Sequence, residues 1–333
     1  MTRPMRILIT GGAGFIGSHL AEYHLEKGDS IVAVDDLSTG SREVFSGFKD
    51  RKFRFEEADL LTWKNLKREV LAADRIYHMA AVVGIIRVLR EPIEVTRVNV
   101  LGTERLLECV SHTKQLPEVV IASSSSVYGH SRSAALDEEA ELIYRPEQGG
   151  LTGYALSKLT NEIQAKAYRH IHGLPVSIPR FFNAVGPRQS GTYGFVLPRF
   201  IKQALSGVPL TVYGDGTQTR SFCDVRDTVR AIDGLASNPK AWGEPVNVGN
   251  PREITILDLA KLVIERAASA STIEFVPYEQ GYGCTFRQTT QRRPSVERLR
   301  ALSDFRHSWS LEQTIDDLLR RNRDSHVPEG RLL

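Results

Sequence analysis

Tyr154 and Lys158 stand four residues apart in the stretch YALSK, downstream of Ser124 in the run SSSSVYG. On a helix, positions i and i+4 share one face. A lysine ammonium one turn from a phenol lowers the phenol's pKa by charge and by hydrogen bonding, so Tyr154 could serve as a base near neutral pH.

A second constellation lies at the start of the chain. The segment GGAGFIG carries Gly11, Gly14 and Gly17, with Phe15 and Ile16 between the last two, directly after the strand-like RILIT. Glycines there let the backbone turn tightly and approach a pyrophosphate at a helix N-terminus. The pattern alone reads either as a cofactor loop or as an ordinary strand-to-helix turn. About twenty residues on, Asp35 ends the next apolar run, where a carboxylate binds adenosine ribose hydroxyls and repels a 2′-phosphate, which favours NAD over NADP. A solvated turn in DDLSTG accounts for Asp36. Asp59 and Leu60 are placed to cradle an adenine, and the stretch His78 to Ala81, with Ala80 and Ala81, to line the cofactor. His78 reads equally as a hydrogen-bonded structural histidine.

The elements that must position these groups are visible as short apolar runs: RILIT (6–10), SIVAVD (30–35), RIYHMAA (75–81), EVVIASSS (118–125) and PVSIPRFFN (175–183). Strands buried on both faces read as apolar runs, and the helical patterns between them imply βαβ units and a parallel sheet. The first two-thirds is therefore expected to be a doubly wound α/β domain. Beyond Asn183, glycine, proline and aromatic residues thicken in GPRQSGTYGF and VYGDGTQTRSF. The expected division is a NAD-binding domain over residues 1–183, with a return segment at about 220–255, and a mainly substrate-binding domain over 184–333.

Composition narrows the functional classes. Over 333 residues, 43 basic against 40 acidic side chains give a net charge of +3, too small to suggest nucleic-acid binding. Cys109, Cys223 and Cys284 are scattered without CxxC spacing, so neither a metal site nor a disulfide framework is indicated. No apolar run approaches a membrane span and no signal-peptide succession opens the chain, so a cytoplasmic protein is expected.

Taken together, GGAGFIG, Asp35, Asp59, HMAA, Asn99, SSSSVYG and YALSK resemble the extended short-chain dehydrogenase/reductase superfamily, in its NAD-dependent nucleotide-sugar epimerase, dehydratase and decarboxylase branch. The resemblance covers nearly the whole chain and implies a Rossmann-like sheet with a smaller C-terminal domain. It makes Tyr154 the catalytic base, gives Lys158 the nicotinamide ribose, and has Ser124 hydrogen-bond the sugar hydroxyl being oxidised. Asn99 becomes a supporting asparagine beside the active site. Asn183 in RFFN matches an asparagine that contacts the nucleotide diphosphate, and Val212 and Tyr213 in LTVYG the segment packed on the base. Arg220 matches a diphosphate-binding arginine, a role suited to a planar, permanently charged fork. A surface salt bridge is the alternative for Arg220. Arg293 in RRPS matches an arginine lying over the sugar and its carboxylate. The resemblance further implies a homodimer formed through two long helices, one bearing Tyr154.

The implied chemistry is a redox cycle with no net consumption of NAD, passing through a 4-keto sugar still attached to its nucleotide. Three outcomes diverge from that ketone: 4-epimerisation, elimination across C5 and C6, and decarboxylation when C6 is a carboxylate. Ser126 occupies the position where eliminating or decarboxylating relatives commonly carry glutamate, and a hydroxyl cannot replace that base. The serines Ser124, Ser125 and Ser126 instead resemble the motif of UDP-glucuronate 4-epimerases, whereas VYGDGTQTRSF and RRPS resemble UDP-glucuronate decarboxylases. The leading expectation is a 4-epimerase of a UDP-hexose or UDP-hexuronate, with decarboxylase or dehydratase as alternatives. A non-catalytic NAD-binding regulator would be expected to lack Tyr154 or Lys158. Pro179 inside a strand run, Arg287 and Gln288 where acidic residues are expected, and Ser295 after the proline depart from the family pattern. Cys284 is read as a bystander.

Overall fold

The computed structural model describes residues 3–131, 133, 135–144, 149–191, 194–278, 280 and 292–324. Cys284, Arg287 and Gln288 lie outside the described residues.

Strands up to Phe181 are β1 (Arg6–Thr10), β2 (Ser30–Asp35), β3 (Phe53–Glu57), β4 (Arg75–His78), β5 (Glu118–Ile121), β6 (Ser123–Ser124) and β7 (Val176–Phe181). Beyond it come β8 (Ala184–Val185), β9 (Leu210–Tyr213), β10 (Thr219–Ser221), β11 (Cys223–Asp224), β12 (Pro245–Val248), β13 (Glu253–Thr255) and β14 (Ile273–Val276). The main sheet runs β12-β7-β5-β4-β1-β2-β3, with β6 also on β7, and all its pairs are parallel. The order reverses between β1 and β4, the place where open α/β sheets bind ligands at their carboxyl ends.

Helices α1 (Phe15–Glu26), α2 (Leu66–Ala72), α3 (Ile85–Arg90), α4 (Pro92–Thr96), α5 (Gly102–Ser111), α6 (Gly149–His172), α7 (Val196–Leu205), α8 (Val225–Ala236) and α9 (Ile256–Ala267) cover the strands. One core lies under α1 and α8 and includes Ile7, Ile9, Leu20 and Ile232. The other face packs Leu8, Val32, Ile76, Leu106 and Ala165 beneath α2, α5 and α6. Ile7 and Leu8 thus point to opposite, equally dry faces, which is why RILIT reads as an apolar run. A third core joins α7, β9, α9 and the C-terminal helix Leu311–Asp324.

Two expectations change in detail. The run EVVIASSS splits into β5 and β6, and RIYHMAA is strand only to His78. Pro179 is accommodated because β5 pairs with β7 through Ser177 and β6 takes over at Arg180. The proline falls at that break, where a missing N–H costs the ladder least.

Candidate active site

The carboxyl ends of β1, β2 and β4 open into a cavity of about 740 Å³ that continues past Tyr154 to β9 and β10. At one end the glycine loop is shaped by close backbone approach. A Cβ on Gly17 would stand 2.2 Å from the Gly11 carbonyl oxygen, and one on Gly11, whose φ is +68°, would stand 2.5 Å from the Ala80 nitrogen. Gly14 caps α1 without a side-chain hydrogen bond, and no acidic residue occupies the first turn. The helix therefore presents free N–H groups and its positive dipole end to the cavity, the environment an anionic pyrophosphate requires.

Asp35 is fixed by two backbone donors, Ala13 to Oδ2 at 3.0 Å and Leu37 to Oδ1 at 2.8 Å. Leu37 makes its contact from a left-handed backbone, φ 59°, and its side chain packs beside Phe45. Burial raises the Asp35 pKa, opposed first by the Leu37 hydrogen bond. Each carboxylate oxygen keeps a further lone pair for a ligand hydroxyl. Phe15, Ile16, Asp59, Leu60, Ala80 and Ala81 also line this end. The glycine cradle, uncapped helix and oriented carboxylate fit a dinucleotide.

His78 and Asn99 lie behind the wall. The His78 ring bridges the hydroxyls of Thr10 at 2.7 Å and Thr103 at 3.0 Å. Burial, with the Lys158 charge adding, holds it neutral with a pKa of about 3. Asn99 sits in a π-helical turn, Arg97–Leu101, a form frequent at functional sites. Its amide clamps the Val82 backbone and donates to Ser157 Oγ at 3.2 Å. Ser157 in turn bonds the Tyr154 carbonyl at 2.8 Å. Asn99 thereby locks the cavity wall to α6 and acts as a positioning residue.

In the middle of the cavity, Tyr154 and Lys158 project from α6 and Ser124 from β6. Burial raises the Tyr154 pKa, while a hydrogen bond with Ser124 and the charge of Arg292 act to lower it. The Lys158 ammonium donates to the Ala122 carbonyl at 2.9 Å, and desolvation brings its pKa down to about 8. Arg292, which RRPS did not single out, therefore adds a second cation near the phenol besides Lys158 on the next turn of α6. Ser124 Oγ also accepts from the Ser126 N–H at 3.1 Å, tying the serine run into one turn.

That turn is held by a buried ion pair. Arg180 on β7 grips Glu162 on α6 with two hydrogen bonds, at 2.9 and 2.8 Å, and Ser123 Oγ donates to the same carboxylate at 2.5 Å. Glu162 lies one turn beyond Lys158, so α6 supplies both the catalytic face and its anchor.

At the far end, Asn183, Arg199, Tyr213, Gln218, Arg220 and Arg292 line the cavity. The Arg199 guanidinium lies 4.1 Å from the centre of the Tyr213 ring. Asn183 Nδ2 donates to the Ser221 carbonyl at 2.9 Å. Val212 is fully buried in the third core, so Tyr213 supplies the side chain of that segment facing the cavity. Arg292 faces Tyr154, and burial, with the Arg220 charge adding, presses its pKa down to about 10. Arg293 turns the other way, its Nε 3.8 Å from Glu253 Oε2. Adjacent side chains in an extended segment point to opposite sides, and the sequence RRPS offered no means of choosing between them. Among the described residues no group of three His, Cys, Asp or Glu side chains could hold a metal ion.

The model of the NAD dependent epimerase/dehydratase family matches residues 7–249. The chain belongs to this family. NAD is the cofactor of the epimerase/dehydratase family, and the Gly11–Gly17 cradle with Asp35 is where this member would hold it. Among its relatives, a UDP-N-acetyl-alpha-D-glucosaminuronate decarboxylase from Bacillus cytotoxicus is 34% identical over 96% of this chain and 98% of its own length. UDP-glucuronic acid decarboxylase 1 of Arabidopsis thaliana is 32% identical over 98% of this chain and 72% of its own. In structure, this epimerase/dehydratase is similar to a UDP-glucuronic acid 4-epimerase from Bacillus cereus solved with UDP-glucuronic acid and NAD, with a TM-score of 0.86 and 28% identity over 97% and 100% of the two chains.

Proposed function

We propose that this protein is a NAD-dependent 4-epimerase of a nucleotide hexuronate, with UDP-glucuronate the substrate of choice. The observation that carries the reading is the composition of the cavity around Tyr154: among the described residues Ser124, Ser125, Ser126 and Arg292 line it there, while its acidic lining residues are Asp35, Asp36 and Asp59 at the ends of β2 and β3 and Glu94 on α4. A C6 carboxylate is welcome in such a site, and Ser126 offers a hydroxyl in place of a carboxylate base for C5.

NAD, when bound, takes up the hydrogen and electron pair of a carbinol carbon and returns them. Tyr154 Oη accepts the proton of the sugar 4-hydroxyl as that carbon becomes a ketone, and gives it back on reduction. Ser124 orients the hydroxyl, and the Arg292 charge favours the phenolate form of Tyr154. Lys158, fixed by the Ala122 carbonyl, holds the cofactor's ribose side. Inversion requires the 4-keto sugar to offer its opposite face while the nucleotide stays bound, for which Arg220 retains the diphosphate.

Decarboxylation is the second reading, favoured by the two decarboxylase relatives. Incubation of the NAD-loaded protein with UDP-glucuronate, followed by proton NMR, separates the two. A C4 epimer with six sugar carbons is expected; a pentose with carbon dioxide release overturns the epimerase assignment.

We further propose a homodimer through α6. Leu156 and Ile163, seven residues apart and on one face, are exposed, as are Leu101 on the π-helical turn and Ile93 on α4, two elements that pack against α6. Exposed apolar side chains repeated along a long helix suit a helix-on-helix interface.

A further inference from the structure

His19 stands on α1 one turn beyond Phe15, and Arg188 on the segment that follows β8, 169 residues later. Arg188 adopts a left-handed backbone, φ 66°, which is costly for a long side chain and persists only where the surroundings over-determine it. Those surroundings are a set of contacts to α1. His19 Nε2 donates to the Pro187 carbonyl at 2.9 Å, and its Nδ1 accepts from the Arg188 guanidinium at 2.5 Å. The same guanidinium nitrogen reaches Glu22 Oε2, one turn further along α1, at 2.5 Å. The His19 ring is buried. Burial, with the Arg188 charge adding, holds it neutral with a pKa of about 4, so one ring nitrogen donates while the other accepts.

The two ends of this clasp serve different parts of the cavity. On one side the His19 ring meets the Phe15 ring edge-on, with centroids 5.8 Å apart, and Phe15 opens α1 in the turn that presents free N–H groups to a pyrophosphate. On the other side the segment held through Pro187 and Arg188 lines the cavity with Ala184, Val185 and Gln189. That segment is tied into one unit. Gln189 Nε2 donates to the Ala184 carbonyl at 3.0 Å, its N–H to the Gly186 carbonyl at 3.4 Å, and β8 pairs with β11. Strand β11 directly follows β10, which carries Arg220 and takes the Asn183 amide on its Ser221 carbonyl. A continuous chain of contacts therefore runs from the first turn of α1 to the substrate half.

We infer that His19 and Arg188 couple the two halves of the cavity: order imposed on the first turn of α1 by a bound cofactor passes through the His19 ring to the Arg188 turn, and so to the segment that lines the substrate's side. Both are positioning residues, acting through the backbone they hold. The inference rests on the nucleotide-sugar reading above and adds to it a route between the cofactor and the nucleotide. Coupling of this kind is reciprocal, so the nucleotide strengthens NAD binding by the factor by which NAD strengthens nucleotide binding.

The test is equilibrium dialysis of the NAD-loaded protein against falling NAD concentrations, with and without saturating UDP, on wild type, His19→Phe and Arg188→Gly. Binding of UDP to the NAD-loaded wild type is recorded first by calorimetry. His19→Phe keeps a ring against Phe15 and removes both hydrogen bonds, and Arg188→Gly keeps the left-handed backbone without strain and removes the guanidinium. Wild type is expected to hold NAD about 5-fold or more tightly when UDP is present, and each variant to reduce that ratio to within about twofold. The ratio, rather than the affinity, is the readout, because a merely structural loss would weaken NAD binding equally with and without UDP. An unchanged NAD affinity on adding UDP to wild type, or an enhancement that survives in either variant, overturns the clasp while leaving the nucleotide-sugar reading intact. Failure of the NAD-loaded wild type to bind UDP overturns both.

Discussion

The Lys158 ammonium donates to the carbonyl oxygen of Ala122 at 2.9 Å, in the short gap between β5 and β6. Desolvation lowers its pKa from 10.5 to about 8 in the folded state. Between those values the unfolded chain binds the proton that the folded chain has released, so Lys158 adds stability as pH rises from about 8 towards 10.5. Urea unfolding of the cofactor-free protein across that range checks the sign. The stability of wild type minus that of Lys158→Met is expected to climb with pH, and a flat difference would sink the assignment.

Removing one member of the Glu162–Arg180 pair leaves a buried charge without its partner. Glu162→Ala is expected to cost about 3–5 kcal/mol in denaturant unfolding. Because Ser123 shares that carboxylate at 2.5 Å, residual turnover should fall as well. Glu162→Gln, which keeps the shape and an acceptor oxygen, should recover part of both losses.

Arg292 and Arg293 are neighbours with separable consequences. Arg292→Met should lower kcat/KM for UDP-glucuronate roughly 10- to 150-fold, the effect of one lost charge-assisted hydrogen bond in a dry site. It should also move the alkaline rise of the pH–rate profile upward, since its charge lowers the Tyr154 pKa. Arg293→Met should change neither measurement by more than about twofold, given that its side chain is 40% exposed beside Glu253.

Tyr154→Phe should bind NAD with unchanged stoichiometry and lose about 10²- to 10⁴-fold in turnover. Retained turnover in that variant, measured on the same preparation as the bound cofactor, would dismiss Tyr154 as the proton acceptor.

If α6 forms the dimer interface, Ile163→Glu and Leu156→Glu should shift light-scattering mass from two chains to one while leaving thermal unfolding of the monomer cooperative. A wild type that is already monomeric would refute the interface.

Much of this arrangement could be read from residue order, for identifiable reasons. RILIT and SIVAVD match their strands because both faces are dry, and GGAGFIG is recognisable because only glycine tolerates the 2.2 Å approach at Gly17. What was hidden depends on contacts distant in the chain. Arg292 also acts on Tyr154 by its charge, its segment held where Leu136 and Pro294 bridge, and no local pattern encodes that phase. Glu162 reads as one more polar position on a long helix until Arg180 and Ser123 are brought to it. Asn99 was legible as belonging near the site, but its work on the Val82 backbone was not.

The position of β12 bears on how the chain reaches this state. Its four residues, Pro245–Val248, complete the sheet beside β7, yet residues 182–244 must be synthesised first. Until then the Val176–Phe181 edge, carrying Arg180, has an open row of backbone donors and acceptors, the template on which unfinished chains associate. A nascent chain stalled before residue 245 should therefore depend on chaperone protection, and the enzyme should become productive late in its own synthesis, since the strand that carries its anchoring arginine is left unsheltered until then.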